Sequence, residues 1–352
     1  MNDIIKKMRE AGLSTKPEEP TVWVDTGSYA LNWVISGRYD RGLPVGCMIQ
    51  VKGDASTAKS VFVASILGSA QKKGYYVALA DSENTLSPDF ANHFGLDTEN
   101  LIYCDPTVVP PSIEGVFEWL AKVITTIRSS DPEDDTPIVL ALDSLPVLSP
   151  QKEFETEKEK GRSKSEEDVI SYVQQNTDGM IRARLIGGAL RKINGLLRKH
   201  NATFLIVNQI RETVVYMGDN SRPAAGGRAL PFYLSVDLLS TSSKTTGQIR
   251  EGDKKDGKVL GQRGVIKCTK NKISVPGRNC EWELYFNEGI SSYYGLLACL
   301  VADGVATQSG AWYTINEKKF QNKSFVKSLN DLSIKELDPV RNLLGINLQM
   351  EV

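Results

Sequence analysis

Histidine is almost missing from this chain of 352 residues, which carries only His93 and His200 and no CxxC or HExxH string. A zinc site or a histidine-centred catalytic triad therefore has almost no material. Cysteine is sparse and odd in number: Cys47, Cys104, Cys268, Cys280 and Cys299 are widely spaced and mostly embedded in apolar runs. That pattern resembles reduced, buried thiols more than a disulfide framework, and a cytoplasmic protein is expected. Charge of one sign is also lacking, since the formal net charge is −1. A globally basic nucleic-acid coat is thereby excluded, and any DNA contact must be local. Finally, no apolar run is long enough for secretion or membrane spanning; the N-terminus offers only the short amphipathic stretch Ile4, Ile5 and Met8. A soluble chain with no membrane partner is expected.

What the chain does have is GDASTAKS from Gly53 to Ser60. A glycine-led turn ending in Lys-Ser, between an apolar strand (Cys47 to Val51) and a helix (Val61 to Gln71), is a cradle for a nucleotide triphosphate. Backbone N–H groups of Gly53, Asp54, Ala55, Ser56, Thr57 and Ala58 would face phosphate oxygens at the positive helix end. Lys59 would reach the β and γ phosphates, and the Ser60 hydroxyl would ligate Mg²⁺. The inference is ATP binding. A serine- and threonine-rich loop before an ordinary helix is the alternative for this string alone. Ala58 stands where the phosphate-loop consensus has glycine, which right-handed backbone tolerates and a positive φ would strain.

Around this loop, apolar strand-like runs alternate with helical patterns, the signature of an α/β protein with a mostly parallel sheet covered on both faces. Further strands are expected at Tyr76 to Ala80, Leu101 to Cys104, Ile138 to Leu142 and Thr203 to Val207. Helices are expected at Ser112 to Arg128 and Leu185 to His200, where apolar residues recur at helical spacing. From Leu234 onward, β-branched segments with Gly-rich turns predict hairpins that extend the sheet, with a polar tip at Lys244 to Lys258. The tail from Tyr293 reads as a small α/β cap. One stretch, Ser149 to Asp178, is poor in apolar residues and too long for filler; it reads as a functional or disordered loop, or, in its middle part, as a solvated charged helix.

Three strand ends carry the chemistry. Ile138 to Leu142 runs into Asp143 and Ser144, which places an acid at the carboxyl edge of the sheet beside Lys59, where it can hold the water shell of Mg²⁺. Glu83, just past Tyr76 to Ala80, suits the positioning of water in phosphoryl transfer, although a surface acid in a turn would look the same. Gln209 ends Thr203 to Val207 and could sense the γ phosphate. Behind it, Arg211 and the stretch Glu212 to Arg228, with Val214, Tyr216, Arg222, Pro223, Gly226, Gly227 and Arg228, offer cations, an aromatic and approachable backbone, as a single-stranded nucleic-acid groove would. A plain solvated loop is the other reading.

TGSYALNWVISG, GLPVG, GDASTAKS, DSENTLS, ALDSL, NQIR, AAGGRAL, FYLSV, KNKISVP, NEGI and GAWY occur in the order seen in the RecA family, which the chain resembles from about Thr26 to Leu344. The resemblance implies a RecA-type ATPase core over 26–290, a protomer-contacting N-terminal segment over 1–25 and a small C-terminal domain over 291–352. DNA loops would lie at about 150–181 and 210–228. It implies a strand-exchange recombinase that polymerises on single-stranded DNA, pairs it with homologous duplex and hydrolyses ATP with Mg²⁺ when DNA is bound. Single-strand-binding and loader proteins are implied as partners.

By position, the resemblance makes Lys59 and Ser60 the phosphate-loop pair, Glu83 the water-activating glutamate, Asp143 and Ser144 the metal-side acid and its neighbour, and Gln209 the γ-phosphate sensor. Lys270 and Lys272 match lysines that reach a neighbour's ATP across the filament interface. Phe90 matches an adenine-packing aromatic and Phe232 an interface phenylalanine. Gly226, Gly227, Arg184 and Arg191 match positions on the DNA backbone, and Met180 is the candidate base-inserting residue of the long first loop. Ala58, Ser87 in place of an acid and Gly218 in place of a phenylalanine depart from bacterial members, and the non-glycine before the lysine resembles the phage, UvsX-like branch. A hexameric RecA-fold helicase would share the phosphate loop but form rings with an arginine finger. A non-catalytic recombinase-associated regulator would not need both Glu83 and Lys59.

Overall fold

A computed structural model describes residues 2–12, 20–84, 86–153, 178–210, 229–243, 246–253 and 256–346. A short helix α1 (Asn2–Glu10) is followed by β1 (Trp23–Val24), α2 (Tyr29–Ser36) and β2 (Leu43–Pro44), with β1 and β2 paired antiparallel. The phosphate-loop unit is β3 (Met48–Gly53) and α3 (Lys59–Lys72). Next come β4 (Tyr76–Asp81), α4 (Pro88–His93), β5 (Ile102–Cys104), α5 (Ile113–Ser130) and β6 (Ile138–Asp143). These are followed by α6 (Asp178–Lys199), β7 (Ala202–Gln209), α7 (Leu230–Tyr233) and β8 (Val236–Thr241).

The remaining strands of the large sheet are β9 (Gln248–Arg250), β10 (Val259–Asn271), β11 (Asn279–Tyr285) and β12 (Gly289–Ile290). Its order is β12-β11-β10-β8-β3-β7-β6-β4-β5, with β9 paired to β10. The run from β8 to β5 is parallel, and β9 to β12 add antiparallel pairs. The chain closes with α8 (Leu296–Ala302), the antiparallel sheet β13 (Thr307–Ser309), β14 (Trp312–Ile315) and β15 (Lys318–Gln321), α9 (Asn322–Asn330) and α10 (Asp338–Leu343).

Period-two alternation explains why the sheet is covered on both faces. Ile49, Val51, Val77, Leu79, Val139, Ala141, Leu205 and Val207 share one buried cluster with α2 and α3 residues. Their strand neighbours Met48, Ala78, Ala80, Ile138, Leu140, Leu142, Phe204 and Ile206 share a second with α5 and α6. Continuous apolar strands of this kind can be stable only with helices on each side. Ser112 caps α5, its Oγ accepting from the Gly115 N–H at 3.0 Å; the cap satisfies an orphan donor of the first turn.

The expected strands and the helices at 112–128 and 185–200 are present, with ends shifted by one to several residues; β5 begins one residue later than expected, at Ile102. Two readings change. The first strand after Leu234, β8, joins β3 in parallel, and the antiparallel extension begins with β10, which pairs with β8, β9 and β11. The polar tip at 244–258 carries β9, which pairs back onto β10. All five cysteines are free, four of them buried. Among the described residues, no helix is long and apolar enough to cross a membrane.

Candidate nucleotide and DNA site

The carboxyl ends of β3, β4, β6 and β7 meet at one edge of the sheet and carry the phosphate loop, Glu83, Asp143 and Gln209. The loop leaves β3 at Gly53, where a Cβ would come within 2.3 Å of the Ser240 carbonyl oxygen and 2.6 Å of Thr57 Oγ1. Glycine is required there by close approach. Ser240 Oγ donates to the Thr57 carbonyl at 2.7 Å, and Gln262 Nε2 donates to the Ser56 carbonyl at 2.9 Å. Strands β8 and β10 therefore clasp the loop from the side. Neither Ser240 nor Gln262 stood out in the sequence, because the contacts join strands far apart in the chain.

Ala58 sits at the N-terminus of α3 with φ 60° and ψ 20°. The right-handed backbone that would have suited an alanine is not adopted, and the left-handed conformation costs an L-residue about 1–2 kcal/mol.

Lys59 is buried, and its Nζ donates to the Asp54 carbonyl at 2.6 Å, inside the curl of the loop. Burial lowers its pKa, opposed by the carboxylates of Asp143, Glu83 and Asp54. Asp143 is buried as well; its carboxyl accepts a hydrogen bond from Ser60. Desolvation pushes its pKa up to about 6, with Glu83 and Asp81 adding to the rise and Ser60 and Lys59 opposing it. A buried ammonium among acids beside a hydroxyl and a carboxylate fits a nucleotide phosphate chain with a divalent cation: Lys59 would hold the phosphates, and Ser60 and Asp143 would hold the cation.

Glu83 is exposed, yet it is held at one oxygen. Ser144 Oγ donates to Glu83 Oε1, and Gln209 Nε2 donates to the same oxygen at 3.1 Å. The predicted set Lys59, Ser60, Asp143, Ser144, Glu83 and Gln209 is thus brought together. Arg184 and Arg191 are exposed on α6, and Arg191 Nε lies 3.4 Å from the Tyr233 hydroxyl of α7. Phe90 lies in α4 and Met180 in α6. Their side chains lie outside the described set, as do Arg211, Val214, Tyr216, Arg222, Gly226, Gly227 and Arg228.

Lys270 and Lys272 are not part of this cluster. Lys270 Nζ donates to the Pro231 carbonyl and Lys272 Nζ to the Phe232 carbonyl, the latter at 2.9 Å. Lys270 pairs with Asp237, which is level with Gln50 near the start of β3. Both lysines therefore lie toward the sheet edge opposite the phosphate loop, roughly 10–17 Å back along the strand direction at about 3.3 Å per residue. A register shift between Cys268 and Lys270 re-aims this end of β10. Phe232, in the same turn, is 78% exposed.

The family model of the RecA N-terminal domain matches residues 11–291, which include every element of this cluster. The chain belongs to the RecA family. It is 31% identical over 333 residues to Protein RecA of Clostridioides difficile, covering 93% of this chain and 85% of that protein. It is 30% identical over 345 residues to Protein RecA of Streptomyces avermitilis, covering 96% and 81%. Protein RecA of Chlorobaculum tepidum is 30% identical over 322 residues, covering 91% and 81%. As a RecA-family protein, the chain is a nucleotide-binding, DNA-dependent ATPase that acts in recombination by strand exchange.

Proposed function

We propose that this RecA-family chain binds ATP with Mg²⁺ at the edge formed by Gly53 to Ser60, Asp143, Ser144, Glu83 and Gln209, and that the site is completed by a second copy. The Gly53 to Ala58 backbone and Lys59 hold the phosphates, while Ser60 and Asp143 hold the cation. Bound Mg²⁺ supplies charge neutralisation at the phosphate oxygens. Glu83 orients the attacking water and takes its proton, and Phe90 packs on the adenine.

The observation that carries this reading is the position of Lys270 and Lys272. They face away from their own phosphate loop and beside the exposed Phe232. Two cations and an apolar ring on one rim suit a head-to-tail contact in which they reach a neighbour's triphosphate; such a heterologous contact propagates into a helical filament rather than closing as a two-fold dimer.

Filament formation then places Arg184, Arg191 and the 210–228 segment, with Arg211, Val214, Tyr216, Arg222, Gly226, Gly227 and Arg228, along single-stranded DNA. The 150–181 segment, including Met180, joins them, and homologous duplex is the second DNA partner. Residues 1–25 serve protomer contact, 26–290 form the ATPase core and 291–352 a small terminal domain. Single-strand-binding and loader proteins are the expected accessory partners. Gln209 links phosphate state to DNA affinity, a coupling that must run in both directions.

Complementation tests the shared site. Lys59→Ala and the double variant Lys270→Ala/Lys272→Ala should each lose DNA-stimulated ATP turnover alone. Mixed, they regenerate some interfaces with an intact loop on one side and intact lysines on the other, so turnover should return. A mixture as inactive as its components refutes the sharing.

A further inference from the structure

Parallel pairing of β4 and β6 ends at Asp81 opposite Asp143, and the Ser82 N–H adds one last bond to the Asp143 carbonyl at 2.8 Å. Beyond that point the two chains would diverge into loops. Instead the Ser82 side chain takes over from the backbone. Its Oγ donates to the Ser144 carbonyl at 2.8 Å and accepts from the Ser144 N–H at 2.9 Å. One hydroxyl can do both, having one donor and two acceptor sites. Ser144 is fully buried, and its own hydroxyl donates to Glu83 Oε1.

We propose that Ser82 is a positioning residue for ATP hydrolysis: it grips the Ser144 peptide so that the Ser144 hydroxyl holds Glu83. The inference rests on Glu83 being the water-activating carboxylate. Glu83 is an exposed side chain in a turn, and a free glutamate there would spread over several rotamers that must be ordered before reaction. The Ser82–Ser144–Glu83 chain removes that freedom before the nucleotide arrives. It also selects the working atom. The bonds from Ser144 and Gln209 both fall on Oε1, so Oε2 is the oxygen that faces water and accepts its proton. The step is balanced within the site: water oxygen bonds the γ phosphorus, the bond to the leaving diphosphate oxygen breaks, and the water proton passes to Oε2. Displacement of a catalytic group by about 1 Å costs on the order of a hundredfold in rate, which makes a tether of three links worth having.

The test is steady-state ATP turnover with saturating single-stranded DNA in five variants. Ser82→Ala should lower kcat about tenfold at unchanged KM for ATP, because the fault lies in orientation rather than in binding. Ser82→Thr, which keeps the hydroxyl, should restore kcat. Ser144→Ala, which leaves the peptide grip and removes only the last hydroxyl, should match the loss, and Ser82→Ala/Ser144→Ala should lose no more than Ser144→Ala alone. Multiplied losses in the double variant, or a raised KM at normal kcat, would overturn the proposal. Turnover lost in Glu83→Gln but intact in Ser82→Ala and Ser144→Ala overturns the tether alone. Full turnover in Glu83→Gln overturns the role of the carboxylate and the tether with it.

Discussion

Asp143→Asn should make the nucleotide-free protein more stable while abolishing its gain from Mg·ATP. The carboxyl is buried at the end of β6, and its pKa rises from 3.8 to about 6 because desolvation outweighs the help of Ser60 and Lys59. In the unfolded chain the same group loses its proton near the lower value. Below that pH the carboxyl is protonated in both states and nothing is lost. As pH rises through the interval the unfolded chain releases the proton first, so folding stability falls, and the loss is complete above the folded value. A gap of about two pH units corresponds to roughly 3 kcal/mol at neutral pH. Asparagine is nearly isosteric and stays neutral, so it recovers up to that amount.

The assay is urea unfolding in the presence of a chelator at pH 8 and again near pH 4. A higher midpoint for the variant is expected at the first pH and convergence at the second. With Mg·ATP at a hundredfold excess over its Kd, the parent should gain about 2.7 kcal/mol and the variant little. An equal gain at both pH values, or none at pH 8, would refute the reasoning that an uncompensated buried charge is held in readiness for a cation.

Ala58→Gly relieves a left-handed alanine at the start of α3; strain of about 1–2 kcal/mol is removed against roughly 0.5–1 kcal/mol of added chain entropy. A net rise in thermal midpoint is expected, and a fall would show that the strain is not borne at this residue. Arg341 is fully buried in α10 and donates to the carbonyls of Leu329, Ser328, Asp331 and Ile334 and to the Asp338 carboxylate. Arg341→Met, which keeps bulk but strands those acceptors, should cost more than about 3 kcal/mol by denaturant unfolding; a loss under 1 kcal/mol would contradict it.

Local pattern alone carried the sheet and its chemistry a long way. An apolar strand must be buried, a helix with an apolar stripe must cover it, and a glycine-led turn between them presents backbone donors to an anion; these are properties of neighbours in the chain. Asp143, Glu83 and Gln209 were legible because each lies within three residues of the end of an apolar run, Asp143 directly after Leu142, Gln209 after Asn208 and Glu83 after Asp81 and Ser82, and parallel strands deliver such ends to one edge.

What depends on residues distant in sequence had to wait for the fold. The grip of Ser82 on Ser144, the clasp of Ser240 and Gln262 on the phosphate loop and the left-handed turn at Ala58 leave no periodic trace. The seat of Lys270 and Lys272 is of the same kind. Their motif identified them, but only the antiparallel entry of β10 beside the parallel β8 puts them at the far edge from their own loop. Strand direction is a property of the assembled sheet, and it is strand direction that separates Lys270 and Lys272 from the phosphate loop of their own chain, the separation on which the proposed shared site rests.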